Sequence, residues 1–504
     1  MQSLAKKISS IVLLALCGIA HVVSAEIRLP QMLSDHAILQ RNAPIHIWGW
    51  GEPGEHITAH FHDQTISTAA TSLGEWSLWL NPEHAGGPYE LTVDGSSKVT
   101  VHDLLVGDVW FASGQSNMQI PLLGFPSSAV IKNAKEEIAQ ANHPQIRLLY
   151  VGLKSSDVPL DDITGRWSQC TPETAASFSA VAYFFGREIQ REEHVPIGLI
   201  DATWGGTPID SWISLKKLGS DASLMPVFAN RAEFSQNQVR LKQIIASEKS
   251  EDAAALAAHQ PAPKHHWHPQ EESWLPAGLY NGMIAPETSY TIKGVIWYQG
   301  ETDSAPERAP LYHLLFPALI ADWRAQWKQG NFPFLFVQIS SFYSPEEIWG
   351  EVRDAQRRTL SVAGTAMAVS LDVGTKNNVH PPDKQTVAAR LALAARATVY
   401  GENIEYSGPL YRQTTTEGST LRVWFDHAEG LKSKGAKVES FEIAGPDHHF
   451  VPADAKIEGD TVVVSSAAIR NPRYVRYGWD TFTTANLYNR NDLPASTFTS
   501  EPIN

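Results

Sequence analysis

The chain has 504 residues, of which 43% are hydrophobic and 19% charged, with 16 Trp. At ~150 residues per domain that length divides into about three cores, and the composition excludes a disordered, collagen-like or fibrous chain. A formal charge of −14 sets aside nucleic acid and anionic membrane as partners, because holding phosphate needs clustered Lys and Arg.

Residues 1–25 read as a cleavable signal peptide. Lys6 and Lys7 precede the apolar stretch 11–20, and Val23-Ser24-Ala25 supplies the small residues a signal peptidase reads, with cleavage after Ala25. That stretch is too short to span a bilayer, and no later one approaches ~20 apolar residues. The expectation is therefore a periplasmic or secreted protein with no membrane contact after cleavage. Beyond residue 25 only Cys170 remains, which leaves no internal disulfide.

From 26 to 106 the pattern is β. Ile45–Trp50, 58–62 and 76–80 alternate large and polar residues between turns such as Glu52-Pro53-Gly54 and Gly86-Gly87-Pro88. An N-terminal β-domain resembling a small sandwich is expected there. Between 107 and 400 the period changes. Short apolar strands are predicted at 106–112, 146–151, 196–202, Gly294–Tyr298, 334–339 and 367–371. Helices are predicted at 181–193, 237–259, 311–328, 352–361 and 384–400. Strand and helix in alternation indicate a parallel sheet covered on both faces, an α/β domain. The Ala- and Glu-rich segment 238–258 lacks an apolar stripe and is expected to protrude as part of a helical insertion near 215–275. From 401 to 504 the β texture returns in a C-terminal domain, with strands at 420–425, 440–443 and 461–464.

Four blocks carry chemistry. In Ser113-Gly114-Gln115-Ser116-Asn117 a strand ends beside a glycine, which sets Ser116 at the carboxyl edge of a parallel sheet, where ligands bind. Ser116 is a nucleophile if a base is in reach, and otherwise a helix-capping serine. His380 lies in a loop before a helix entered through Pro381-Pro382, exposed enough to exchange protons near neutral pH; the alternative is an ordinary surface histidine, one of 19. Trp297-Tyr298-Gln299-Gly300-Glu301 ends a buried strand in polar residues. There Gln299 offers N–H donors to an oxyanion and Glu301 an acid to orient an imidazole. Trp204-Gly205-Gly206-Thr207 exposes backbone N–H groups of the kind an oxyanion hole needs, or forms a plain turn.

The ordered set Gly-Gln-Ser-Asn at 114–117, Gly-Gly-Thr at 205–207, Trp-Tyr-Gln-Gly-Glu at 297–301 and His-Pro at 380–381 resembles the sialate O-acetylesterase family of the SGNH/GDSL hydrolase superfamily. Leu39-Gln40-Arg41, the segment around Asn281 (279–286), Arg353-Asp354-Ala355-Gln356 and Ala485-Asn486-Leu487-Tyr488 match the family's pattern as well, so the likeness runs through nearly the whole mature chain. The resemblance implies an SGNH-type, flavodoxin-like three-layer α/β/α hydrolase domain between two β-sandwich-like domains. It also implies Ser116 as nucleophile and His380 as general base and acid, with an oxyanion held by the Ser116 amide, Gly205 or Gly206, and Gln299 where relatives have asparagine.

The resemblance breaks at the acid. Much of the superfamily places aspartate two or three residues before the histidine, where this chain has Asn377 and Asn378, and an amide cannot stabilise imidazolium. Glu301 is the expected third member, as in related acetylxylan esterases, with Asp372 or a Ser-His dyad as alternatives. Asn281, Trp204 and Arg353 are candidate substrate contacts, Arg353 as a carboxylate fork or else a helix-surface ion pair. His265-His266-Trp267-His268 is read as a loop near the site mouth that brings Trp267 or Trp274 to substrate, rather than as a metal site.

The resulting expectation is a serine esterase that removes O-acetyl groups from carbohydrates through an acetyl-serine intermediate, without cofactor or metal. Sialic acid, acetylated xylan and xyloglucan are the alternative substrates. A carbohydrate-binding protein with lost catalysis and a lipid esterase are the readings of other classes.

Overall fold

In this computed structural model the described residues are 26–125, 129–263, 265 and 267–502; the expected signal peptide lies outside them. The largest sheet runs, edge to edge, Thr365–Val369, Phe334–Gln338, Gly294–Tyr298, Lys98–Gly114, Ile197–Thr203, His143–Tyr150 and Trp167–Cys170. Neighbours are parallel except the last pair, which is antiparallel. Helices cover both faces. Successive strand side chains point to opposite sides, and Trp110 meets Phe185 of helix Ala180–Glu193 while Phe111 meets Trp323 of helix Ala309–Trp327. This double burial explains why the strands read as continuous apolar runs instead of alternating ones.

After the central Lys98–Gly114 strand the chain builds one side of the sheet, then crosses to build the other from Gly294–Tyr298 outward. The crevice at the carboxyl end of the central strand is therefore a topological switch point, the place where α/β sheets bind ligands.

The central strand is longer than expected. It spans 17 residues, pairing first with Ile38–Gln40 and Gly86–Asp94 and then with Ile197–Thr203 and Gly294–Tyr298. Val99 and Val101 alternate with polar residues, as suits a half-buried strand, and from Leu104 the run is buried on both faces and apolar but for Asp108 and Ser113. The change of texture near 106 is thus a change of environment within one strand. Accordingly Ile47, Phe61 and Leu91 of the N-terminal sheets share a continuous core with Trp110 and Phe111. The C-terminal sheets enclose a second core of Leu421, Val423, Phe441, Val462 and Phe498. Helix Pro226–Ala257 buries only Val227 and Gln238, in line with its missing apolar stripe. It begins earlier than expected, because Pro226 fits a first helical turn. Among the described residues no helix is long and apolar enough to cross a membrane.

Glu287 is buried with neither carboxylate oxygen hydrogen-bonded, and desolvation raises its pKa well above the usual carboxylate range. A raised folded-state pKa means the native state keeps a proton that the unfolded chain releases. The contribution is complete below the unfolded pKa and is lost as pH rises through the folded one. Glu287→Gln abolishes that titration. Between about pH 4 and about pH 8 the stability difference is expected to move about 1–3 kcal/mol in the variant's favour. Urea melts at the two pH values check this, and parallel pH slopes would contradict it.

Candidate active site

The strand that carries Ser116 ends at Gly114, which has φ +131°. A Cβ there would lie 2.2 Å from the Tyr298 carbonyl oxygen, so glycine is what lets the two strand ends close on each other. The Gln115 N–H donates to that same carbonyl at 3.0 Å, and Gln115 Oε1 accepts from the amides of Gly300 (3.3 Å) and Thr302 (3.2 Å). Ser116 opens the short helix Ser116–Gln119, at the position whose amide has no preceding helical carbonyl. Its side chain is half-buried at the crevice.

His380 is 264 residues away in sequence, yet its Nε2 lies 3.0 Å from Ser116 Oγ. Its loop is braced from three sides. Thr375 Oγ1 donates to the Asn378 carbonyl at 2.7 Å, and the His380 N–H donates to Asn378 Oδ1 at 2.9 Å. Asn117, next to Ser116, donates its Nδ2 to the Val379 carbonyl at 3.0 Å. Helix Lys384–Thr398 follows, capped by Asp383 Oδ1 accepting from Thr386 N at 3.0 Å.

Neither candidate acid meets the imidazole. Glu301 Oε1 accepts from Asn117 Nδ2 at 2.5 Å and its Oε2 has no hydrogen bond. Lys384 Nζ donates to Asn117 Oδ1, so one carboxamide bridges a buried carboxylate and a buried ammonium. The reason is desolvation: Glu301 and Lys384 are both buried and each offsets the other's charge. Burial raises the Glu301 pKa and pulls the Lys384 ammonium down to about 7, against their mutual attraction. Asp372 is taken by Arg390, whose Nη1 and Nη2 donate to it at 2.6 and 2.8 Å, and by Tyr488 OH at 3.3 Å. Asn117 and Lys384 were missed in the sequence, where nothing marks a lysine after Pro-Pro-Asp as buried.

Of the two glycines, Gly205 stands against Ser116: a Cβ on it would be 3.1 Å from Ser116 Cβ. Its amide donates to Gln119 Oε1 at 2.8 Å, so Gln119, also missed, occupies the donor that faces the nucleophile. Gly206 (φ +69°) turns away under Trp267 and accepts the Trp274 Nε1 hydrogen at 2.8 Å. Gln299 does not serve the oxyanion. It is fully buried, and its Nε2 donates to the Thr207 carbonyl (3.1 Å) and Asp303 Oδ2 (2.5 Å). Asp303 in turn takes Arg308 Nε at 2.9 Å and the Ile209 amide at 2.9 Å, and Arg308 also pairs with Asp210. In this chain the glutamine ties the second and third blocks together, and a buried donor already paired has no N–H to spare.

The three expected substrate contacts are internal. Asn281 is buried, its Nδ2 donating to the Ser156 carbonyl at 3.0 Å and its own carbonyl accepting from Leu160 N at 2.9 Å. Arg353 is fully buried, with Nη2 donating to the carbonyls of Trp479 and Asp480, and burial pulls its pKa down to about 9. It is neither an exposed carboxylate fork nor a surface ion pair, because helix Trp349–Arg358 turns it inward against the C-terminal sheets. Trp204 is buried, and its indole N–H donates to Gln270 Oε1 at 3.2 Å. Trp267, by contrast, is 63% exposed over Gly206. Its loop has acidic partners from helix Pro226–Ala257: His265 Nε2 is 2.9 Å from Asp252 and His268 Nε2 is 3.0 Å from Glu248. His266 lies outside the described residues.

The chain is 31% identical to a sialate O-acetylesterase of Mus musculus over 523 residues, covering 94% of this chain and 93% of that protein. It belongs to the sialate O-acetylesterase family. The Homo sapiens sialate O-acetylesterase is 33% identical over 425 residues, covering 76% of this chain and 73% of the relative. A family described as "Carbohydrate esterase, sialic acid-specific acetylesterase" matches residues 263–397, a span that includes Glu301, Lys384 and His380 but not Ser116. The crystal structure of a carbohydrate acetylesterase from Xanthomonas citri superposes with a TM-score of 0.81 at 36% identity, covering 94% of this chain and all of that one.

Proposed function

We propose that this member of the sialate O-acetylesterase family is a serine esterase that hydrolyses O-acetyl esters on carbohydrates, with Ser116 as nucleophile and His380 as its base. The observation that carries the reading is the 3.0 Å approach of His380 Nε2 to Ser116 Oγ at the carboxyl edge of the central strand. Ser116 Oγ attacks the acetyl carbonyl carbon while its proton passes to His380 Nε2. The carbonyl oxygen, now negative, faces the Ser116 amide, and the neighbouring Gly205 amide, held on Gln119 Oε1 in this structure, is the second candidate donor. As the tetrahedral intermediate collapses, His380 returns the proton to the departing sugar hydroxyl. Water then repeats the cycle on the acetyl-serine, releasing acetate and restoring Ser116.

In this reading Ser116 and His380 are the reacting pair, and the loop that carries His380 is held by Thr375, Asn378 and Asn117. Glu301 acts at one remove, through Asn117, on the peptide before His380. The α/β domain of 107–400 is taken as an SGNH-type three-layer hydrolase unit, the sheets of 26–106 and 401–504 as its flanking β-domains. The expected leader 1–25 supports export to the periplasm or beyond.

The test is the acyl-chain dependence of ester hydrolysis. Activity on p-nitrophenyl acetate is expected to fall at least tenfold by the butyrate, and acetate is expected to be released from acetylated sugars. A rate that rises with chain length would point to a lipid esterase instead.

A further inference from the structure

One outward face of the N-terminal sheets is built unlike the rest of the surface. In the two-stranded sheet of Ile45–Trp50 and Glu75–Leu80, alternate residues are buried, which leaves His46, Trp48, Trp50 and Trp79 pointing away from the core. His46 is stacked between Trp48 and Trp79, with ring centroids 5.0 and 4.3 Å apart, and its Nδ1 lies 3.1 Å from the Ser289 carbonyl oxygen. Trp79 is 54% exposed. Trp48 and Trp50 line an open cleft of about 510 Å³ together with Glu75, Asp161, Ser289 and Leu160. Rigid aromatic rings interleaved with hydroxyl and carboxylate acceptors match a sugar ring, which offers C–H groups on its faces and hydroxyls at its edge.

This cleft adjoins another that reaches a neighbour of the Ser116 site. Leu160 also lines a second open cleft of about 800 Å³, shared with Lys154, Asp157, Arg231, Gln270 and Glu271. Gln270 is the residue that takes the Trp204 indole hydrogen, one position before the Gly205 that faces Ser116. The ridge between the clefts is fixed, since Asn281 holds both Ser156 and Leu160 and the Ser156 amide donates to the Gly278 carbonyl at 3.0 Å. Two exposed tryptophans stand beside these residues, Trp267 over Gly206 and Trp79 stacked on His46.

We infer that this track binds a neutral polysaccharide, several sugar residues long, whose O-acetyl group reaches Ser116 while its chain lies on the Trp48–His46–Trp79 stack. Charge decides the class of polymer. Glu75, Asp157, Asp161, Glu271 and Glu272 along the two clefts outnumber Lys154 and Arg231, and still do with Lys242 on Glu271 and Arg28 over Trp50 counted, so a polyanionic glycan meets like charge and a neutral one does not. Remote contacts of this kind add binding energy only for substrates long enough to reach them. The inference rests on the esterase reading for the position of the acetyl group, but the stack is testable without catalysis.

The experiment measures binding of the Ser116→Ala protein to acetylated xylan, acetylated xyloglucan and acetylated glucomannan, with polysialic acid as the acidic comparison. The same panel is run with Trp48→Ala and Trp79→Ala added together, and with the exposed Trp79→Ala alone as a change that leaves the core untouched. At least one neutral polymer is expected to bind, with Kd rising at least tenfold in the double variant and about threefold for Trp79→Ala. On the Ser116 background, both tryptophan variants should keep p-nitrophenyl acetate turnover within twofold of wild type and lose polymer deacetylation through KM. Equal polymer affinity with and without Trp79, binding of no neutral polymer, or tighter binding of polysialic acid overturns the inference. Absence of ester turnover in the unaltered protein overturns the esterase reading instead, and leaves the binding arm to judge the stack.

Discussion

Ser116→Ala is expected to lower kcat on p-nitrophenyl acetate by about 10⁴- to 10⁶-fold, the cost of removing a nucleophile whose partners work as a unit. Ser116 is half-buried and packs no core, so the melting temperature should stay within a few degrees of the parent protein. His380→Gln should cost nearly as much, and the double variant little more than either single one, because a base with no hydroxyl to deprotonate contributes nothing. Initial rates with the three proteins at equal folded concentration make the comparison. Turnover by Ser116→Ala at the parental rate would remove the serine from the chemistry, and additive losses would show that the 3.0 Å contact of Ser116 and His380 is not a functional pair.

The second large effect separates an acid that touches the imidazole from one that acts through an intermediary. Asn117 Nδ2 donates to both Glu301 Oε1 and the Val379 carbonyl, and its Oδ1 accepts from Lys384. Asn117→Ala removes the brace on the peptide before His380 and leaves a small void beside the nucleophile. A misplacement of about 1 Å at a general base costs on the order of 10²-fold in rate, so kcat should fall by about that factor with KM changed less than threefold. Glu301→Gln keeps an oxygen that accepts from Asn117 and removes only the charge. It should therefore retain activity within about tenfold, whereas an acid in direct contact with the imidazole loses on the order of 10⁴-fold when made an amide. A loss of that size in Glu301→Gln, with kcat affected and folding intact, would make Glu301 the triad acid through a rearrangement on substrate binding. Lys384→Met serves as the companion variant, since removing the ammonium should raise the Glu301 pKa further and shift the pH profile of kcat.

The outcome for the candidate residues divides by the kind of signal each one rested on. Ser116, Gly205 and His380 were marked by position: a glycine beside a strand end, a turn after a strand, a loop before a proline-entered helix. Strand ends in an α/β fold converge on one edge, so local pattern could place Ser116, the Gly205–Gly206 turn and the His380 loop near that edge, but not say which of their groups face the crevice. Gln299 was marked by its strand end as well as its amide, and Asn281, Trp204 and Arg353 by residue type; neither signal says which way a side chain faces. Gln299 turned out to tie blocks to each other, Asn281 to hold the 156–160 ridge, and Arg353 to seal the contact with the C-terminal sheets. Polar residues near a site are as often its wiring as its working surface, because every buried donor and acceptor there needs a partner.

The fold divides in the same way. The α/β core was legible because its strands, buried on both faces, are mostly apolar, with only single polar residues such as Asp108, Arg147 and Asp201 between, while the exposed helix Pro226–Ala257 was legible because it lacks an apolar stripe. What local pattern missed was the unbroken passage of the Lys98–Gly114 strand from one sheet region to the next, which only its partners define. Sequence by itself determined the order of strands and helices, the nature of the reacting groups and their places at element ends, since these follow from periodicity and turn chemistry within a few residues. Only the tertiary structure decided that Glu301 and Asp372 are spent on Lys384 through Asn117 and on Arg390, and that His46, Trp48 and Trp50 line one cleft. Charges and rings find their partners across hundreds of residues, through burial and packing that no short stretch of chain encodes.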